Sequence, residues 1–87
     1  MEQTAILIDA HDSVATVTRP VKCGETVCFL HSGAAVELPA AEDIPMYHKI
    51  AVRPLAAGEA VLKYGEYIGR AKCDIAPGAW VHTHNLA

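Results

Sequence analysis

Short runs of β-branched and aliphatic residues, broken every few positions by glycine, proline or a polar cluster, make up most of this chain. Runs of that length and period predict strands. They fall at residues 4–8, 14–18, 26–30, 35–38, 48–52, 61–64, 67–73 and 80–85. Asp9-Ala10-His11-Asp12-Ser13 is a polar turn between the first two, and Ser32-Gly33 breaks the third from the fourth. Residues 39–45 carry two prolines and acidic interruptions, which predicts a loop with one helical turn at 40–43. Nowhere does an apolar period of 3.6 persist over three turns. The expected fold class is therefore mostly β, one domain over residues 1–87, with at most one or two helical turns.

A short internal repeat explains the rhythm. Arg19-Pro20-Val21-Lys22-Cys23-Gly24-Glu25-Thr26-Val27 aligns with Arg53-Pro54-Leu55-Ala56-Ala57-Gly58-Glu59-Ala60-Val61, and five of those nine positions are identical. Ile75-Ala76-Pro77-Gly78-Ala79-Trp80-Val81 is a third, shorter copy sharing apolar-x-x-Gly-x-x-Val. Glycine accepts a positive φ without steric cost, so each copy predicts a tight turn with apolar residues packing inward on either side. A sheet interrupted this often must fold back on itself, which favours a compact clip-like or barrel-like structure over an open sheet with long edges. The intervals are too short and unequal for a solenoid.

Composition narrows the function classes. With 87 residues and only five aromatic Phe, Trp or Tyr side chains, the core has to be built from Val, Ala, Ile and Leu. A pocket of about 300 Å³ or more needs packed walls that so small a domain hardly supplies, so a self-sufficient enzyme is not expected. The net charge of -3 and the scattered Lys and Arg give no basic stripe for nucleic acid. No apolar run approaches the roughly 20 residues of a membrane span. Met1-Glu2-Gln3-Thr4 lacks the basic start of a secretion signal, and the cytoplasm is the expected location. Cys23, Cys28 and Cys73 are odd in number and not in C-x-x-C spacing, which predicts free, partly buried thiols in a reducing compartment.

Two segments carry candidate chemistry. In Val81-His82-Thr83-His84-Asn85, residues two apart on a strand share a face, so His82 and His84 would project side by side. That spacing suits two imidazoles on one metal, to be completed by His11, His48 or a partner chain, as in a truncated cupin-like barrel. It equally suits two solvent-facing histidines on an edge strand. Lys63-Tyr64-Gly65-Glu66-Tyr67-Ile68-Gly69-Arg70 predicts a hairpin with Gly65 in its turn and Gly69 at a bulge or close backbone approach. Lys63 and Arg70 would offer charge to a carboxylate ligand, or simply flank the turn as surface cations. Cysteine–histidine nucleophilic catalysis has no support in the spacing.

Several motifs stand in an order that resembles the altronate/galactarate dehydratase family. They are His48-Lys49-Ile50-Ala51-Val52, Ala57-Gly58-Glu59, Lys63-Tyr64-Gly65, Ile68-Gly69-Arg70-Ala71, Asp74-Ile75-Ala76-Pro77-Gly78 and the closing Val81-His82-Thr83-His84-Asn85-Leu86. The resemblance is specific from about His48 onward and looser before it. It implies the SAF-type β-clip fold and a small subunit or N-terminal domain that works with a large catalytic subunit and is inactive alone. The implied activity is a lyase (hydro-lyase) eliminating water from a sugar acid of the altronate or galactarate type. Related small subunits serve a sulfolactate sulfo-lyase, and the SAF group also includes non-enzymatic sugar-binding or assembly modules. Iron or another divalent metal, shared with or held by the large subunit, is implied as cofactor. The expected partners are that subunit and a small sugar-acid or sulfo-acid substrate, with no nucleic acid and no membrane, and with room for a homo-oligomer in isolation. The chain ends where the small domain of the family ends, which is the expectation for either a free-standing small subunit or a domain cut from a longer chain.

Overall fold

A computed structural model describes residues 3–87; Met1 and Glu2, part of the start read above for a leader, lie outside them. The described residues contain strands and turns and no helix. The strands are β1 (Ala5–Ile6), β2 (Val14–Val17), β3 (Thr26–His31), β4 (Ala34–Pro39), β5 (Lys49–Ala51), β6 (Ala60–Lys63), β7 (Glu66–Arg70) and β8 (Trp80–Val81). Each falls on a predicted run. Two expectations fail: residues 40–43 form bends rather than a helical turn, and the last strand stops at Val81 instead of reaching Asn85.

The strands β1-β2-β5-β8 form an antiparallel four-stranded sheet in that order, while β3-β4 and β6-β7 are separate hairpins. The ladders leave open edges, so the cupin-like alternative does not apply. Side chains alternate across the central sheet, and this splits the core in two. Ala15 pairs with Ile50 and Ile50 with Trp80, and these face the first hairpin through Val27 and Phe29. Val14 pairs with Ala51 on the opposite face, where Val81 joins Val61, Leu55 and Ile75 from the second hairpin region. Half of the chain thus packs on each face of one shared sheet.

Four turns build this arrangement. Val21, Ile44, Leu55 and Ile75 are each buried, and they bridge in pairs, Val21 with Ile44 and Leu55 with Ile75. Three residues after each comes a positive φ, at Gly24 (90°), Tyr47 (66°), Gly58 (85°) and Gly78 (86°). The identical Arg and Glu of the long repeat now have a cause. Glu25 accepts the Lys22 N–H at 2.8 Å and pairs with Arg19 at 3.0 Å, stapling the turn. Glu59 accepts the Ala56 N–H at 3.0 Å and pairs with Arg53 at 2.6 Å. The second turn, Ile44-Pro45-Met46-Tyr47, begins at the end of the predicted loop over residues 39–45 and runs past it.

Candidate functional site at the close of the central sheet

The site grows from β5 and β8, which pair so that Lys49 lies opposite Val81 and Ile50 opposite Trp80. The turn before β5 brings His48 to this end of the sheet, and the segment after β8 brings His82 and His84. That segment is a turn. The buried Asn85 fixes it by accepting the His82 N–H at 2.9 Å and donating to the Trp80 carbonyl at 2.9 Å, while the Leu86 N–H bonds the His82 carbonyl at 2.9 Å. His82 and His84 are therefore not side by side on a strand as expected. Both turn onto the same indole instead: the His82 ring stacks on Trp80 at 5.3 Å between centroids and 9° between planes, and His84 lies at 5.1 Å.

His48 completes the group. Its ring centroid is 4.8 Å from that of His82, and the Trp80 Nε1–H donates to His48 Nδ1 at 3.1 Å. An indole nitrogen only donates, so Nδ1 must carry a lone pair and the proton of His48 sits on Nε2. His48 thereby presents a donor rather than a metal-binding lone pair. Desolvation, then the nearby His48, Lys49 and His84, hold the His82 imidazole below its ordinary value of 6.5 and favour its neutral form. Burial, then the charge of Lys63, likewise lowers Lys49. The ion pairs of the described residues, His11–Asp9, Arg19–Glu25 and Arg53–Glu59, all lie elsewhere; the carboxylates that border this group are Glu42, which accepts the Trp80 N–H at 2.9 Å, and Glu66, opposite Lys63 in its hairpin. The arrangement suits holding an anion against an aromatic wall and exchanging a proton at a near-neutral imidazole.

The other expected residues disperse. His11 is exposed, hydrogen-bonded to Asp9, and lines a groove of about 410 Å³ with His31, Arg53 and Phe29. Lys63 comes near Lys49, whereas Arg70 sits at the other end of its hairpin, opposite Ala60, with its guanidinium on the Gly58 carbonyl at 2.9 Å. The two do not share a ligand site. All three cysteines are free, but only Cys28 is buried; Cys23 and Cys73 are exposed because they stand in turn regions. Among the described residues no three His, Cys, Asp or Glu side chains converge for a metal ion, and with His48 Nδ1 engaged the histidine group does not form a metal site by itself.

Three residues escaped the reading of the sequence. Trp80, the only tryptophan, reads in the sequence as a strand residue and not as a site residue, although an aromatic two residues before H-x-H is a usable signal. Lys49, adjacent to His48, gave no signal beyond its charge. Asp12 proves structural: its buried carboxylate accepts the N–H groups of Asp9 (3.1 Å), Tyr64 (2.9 Å) and Gly65 (2.8 Å), tying the first turn to the second hairpin.

A small all-strand domain closed by repeated turns is of the SAF-type, mostly-β class. The chain belongs to the altronate/galactarate dehydratase SAF domain family, which it matches over residues 3–87. It is 34% identical over 84 residues to the (2R)-sulfolactate sulfo-lyase subunit alpha of Chromohalobacter salexigens, covering 93% of this chain and 89% of that protein. The corresponding subunit of Paracoccus pantotrophus is 50% identical over 48 residues, 55% of this chain and 72% of that one. The altronate dehydratase of Bacillus subtilis is 36% identical over 81 residues, which cover 92% of this chain but only 15% of that enzyme.

Proposed function

We propose that this chain is the small component of a carbon–oxygen or carbon–sulfur lyase that acts on a small hydroxy acid together with a larger catalytic partner. The observation that carries the reading is the gathering of His48, His82 and His84 around Trp80, with none of the three histidines in an ion pair. Met46 (46% exposed) and Tyr47 (68%) precede His48 in the same turn, giving this end of the molecule an apolar rim suited to a protein partner. The relatives support both versions of the chemistry, and the two share one demand. A base takes the proton from the carbon next to the carboxylate, the C–H electrons form a double bond to the neighbouring carbon, and hydroxide or sulfite leaves that carbon. The resulting enol then tautomerises to a keto acid.

His82, neutral and stacked, suits taking up or passing on a proton, and His48 Nε2–H and His84 suit donation to the carboxylate or leaving group. A divalent metal such as iron, implied by the family, is assigned to the partner, since the described residues gather no ligand set of their own. The sulfo-lyase version draws on the long alignment with an alpha subunit, the dehydratase version on the dehydratases that carry a similar segment. The test reconstitutes the chain with its large partner and assays altronate, galactarate and sulfolactate. His82→Ala with His84→Ala should slow turnover by at least roughly tenfold while the complex still assembles. Normal assembly with wild-type turnover would overturn the site assignment, and lost assembly would make these interface residues only.

A further inference from the structure

We infer that the open edge of β4 is a docking surface for a second copy of this chain, the two β4 strands pairing antiparallel about Val36. The inference goes beyond the lyase reading and stands without it. β3 and β4 form a two-stranded sheet joined by Ser32 and Gly33, at φ of 51° and 83°, so β4 has a strand on one side only. A two-residue turn of this kind makes the flanking pair, His31 and Ala34, exchange hydrogen bonds, and the alternation repeats along the ladder. Phe29 with Val36 and Val27 with Leu38 are therefore bonded pairs, while Leu30 with Ala35 and Cys28 with Glu37 point their backbone groups outward. Cys28 bears out the phase: on the far side of β3 its carbonyl accepts the Thr4 N–H at 2.9 Å, and its N–H donates to the Thr4 hydroxyl at 2.9 Å. Ala35 and Glu37 have no such neighbour. Among the described residues their outward N–H and C=O groups make no backbone hydrogen bond, and both residues are exposed.

An open edge strand is a template for another strand, and it is usually blunted by lysines, a bulge or proline. Over Ala34–Pro39 the pairing is regular, the one charge is Glu37, and Pro39 blocks only the far end. Self-complementarity then selects the register. Centred on Glu37, two carboxylates would face each other and Ala35 would meet Pro39, which has no N–H to give. Centred on Ala35, Glu37 would run into the Ser32-Gly33 turn. Centred on Val36, Ala35 lies opposite Glu37 of the second copy and Glu37 opposite its Ala35. Each of these pairs exchanges both of its backbone hydrogen bonds, and no like charges meet. Val36 meets Val36 of the second copy at the closer cross-strand spacing, a favourable β-branched pair, and Ala34 lies opposite Leu38. One patch serves both copies, so the contact closes as a two-fold dimer and does not propagate into a filament. Such a seam buries less than the roughly 1,200 Å² of a standard interface, so the dimer is weak and depends on concentration.

The test is sedimentation velocity of the full chain from about 10 μM to about 1 mM, a range suited to weak association. Wild type should pass from monomer to dimer, and amide exchange at Ala35 and Glu37 should slow as it does. Glu37→Pro removes an outward N–H and no bond of the hairpin, so it should stay folded and monomeric. Should proline disturb the fold, Ala35→Glu and Ala35→Lys decide the matter, because each meets Glu37 twice across the two-fold axis. Ala35→Glu should weaken the dimer by about fivefold, and Ala35→Lys should strengthen it by about fivefold. The proposal is overturned by a wild type that stays monomeric throughout, by a dimer of wild-type strength in Glu37→Pro, or by Ala35 variants that shift association in the same direction. If monomeric wild type loses assembly with a large partner on Glu37→Pro, the edge takes that partner's strand, and the second-copy proposal is likewise overturned.

Discussion

Trp80 is the only tryptophan in the chain, and three histidines touch it or nearly do, so one fluorophore reports on the whole group. A protonated imidazole stacked on an indole quenches its emission. Because the surroundings lower His82, it takes up its proton only at a pH below its ordinary 6.5. The part of the emission that His82 controls should therefore fall on acidification with a midpoint under that value, and His82→Ala should diminish the step. A midpoint above 6.5 would mean that a carboxylate reaches the ring and that the charge environment described for it is wrong. The histidines were picked from the sequence for their spacing on a strand, and the structure joins them by another route. Asn85 ends the strand early and curls the segment, so the shared contact is with Trp80 rather than with one sheet face.

At the scale of elements, the repeated turn governs the molecule, and its four copies differ in how well their residues suit it. Three have glycine at the positive-φ position and one has Tyr47, at 66° and 68% exposed. A side chain in the left-handed region costs about 1 kcal/mol or more, and an exposed tyrosine returns little packing. Tyr47→Gly should raise stability by about 0.5–1 kcal/mol in a urea titration. Should the complex with the large partner weaken in parallel, tyrosine is kept there for the interface. This copy escaped the reading of the sequence because the glycine that marks the motif is missing, although Ile44 still bridges to Val21. The second hairpin was legible in detail: Tyr64 and Gly65 make its two-residue turn with φ of 56° and 75°, and pairing slips beside Gly69. The bulge and the close approach both occur there, since a Cβ on Gly69 would run into the Ala87 carbonyl.

For the whole molecule, the titrating groups predict how stability follows pH. His82 is lowered in the folded state, so its contribution is complete above the ordinary 6.5 and is lost as pH falls, the unfolded chain binding that proton first. Asp9, Glu25 and Glu59 are lowered from ordinary values of 3.8, 4.5 and 4.5, chiefly by hydrogen bonds to His11, Lys22 and Arg53 respectively. Their contribution stands above about 4.5 and declines below it, and each is small because these carboxylates are exposed. The urea midpoint should thus drop in two stages on acidification. His82→Ala should remove the first stage and leave the second, and a single acid transition unaffected by that change would contradict the assignment.

Local chemistry was enough to place every strand, because apolar period and glycine turns act over a few residues and are written directly in the chain. It was also enough for the family, whose motifs are those same turns. Tertiary structure decided what those elements enclose. Only the pairing of β5 with β8 sets His48 beside Trp80, and only the hydrogen bonds of Ser13 to Leu62 hang β6 on the central sheet. Residues tens of positions apart become neighbours through pairing that no local pattern encodes. Arg70, close to Lys63 in sequence, is parted from it by the length of a hairpin. Charge, by contrast, acts through space, so which groups share a field here depended on how one sheet received two hairpins on its two faces.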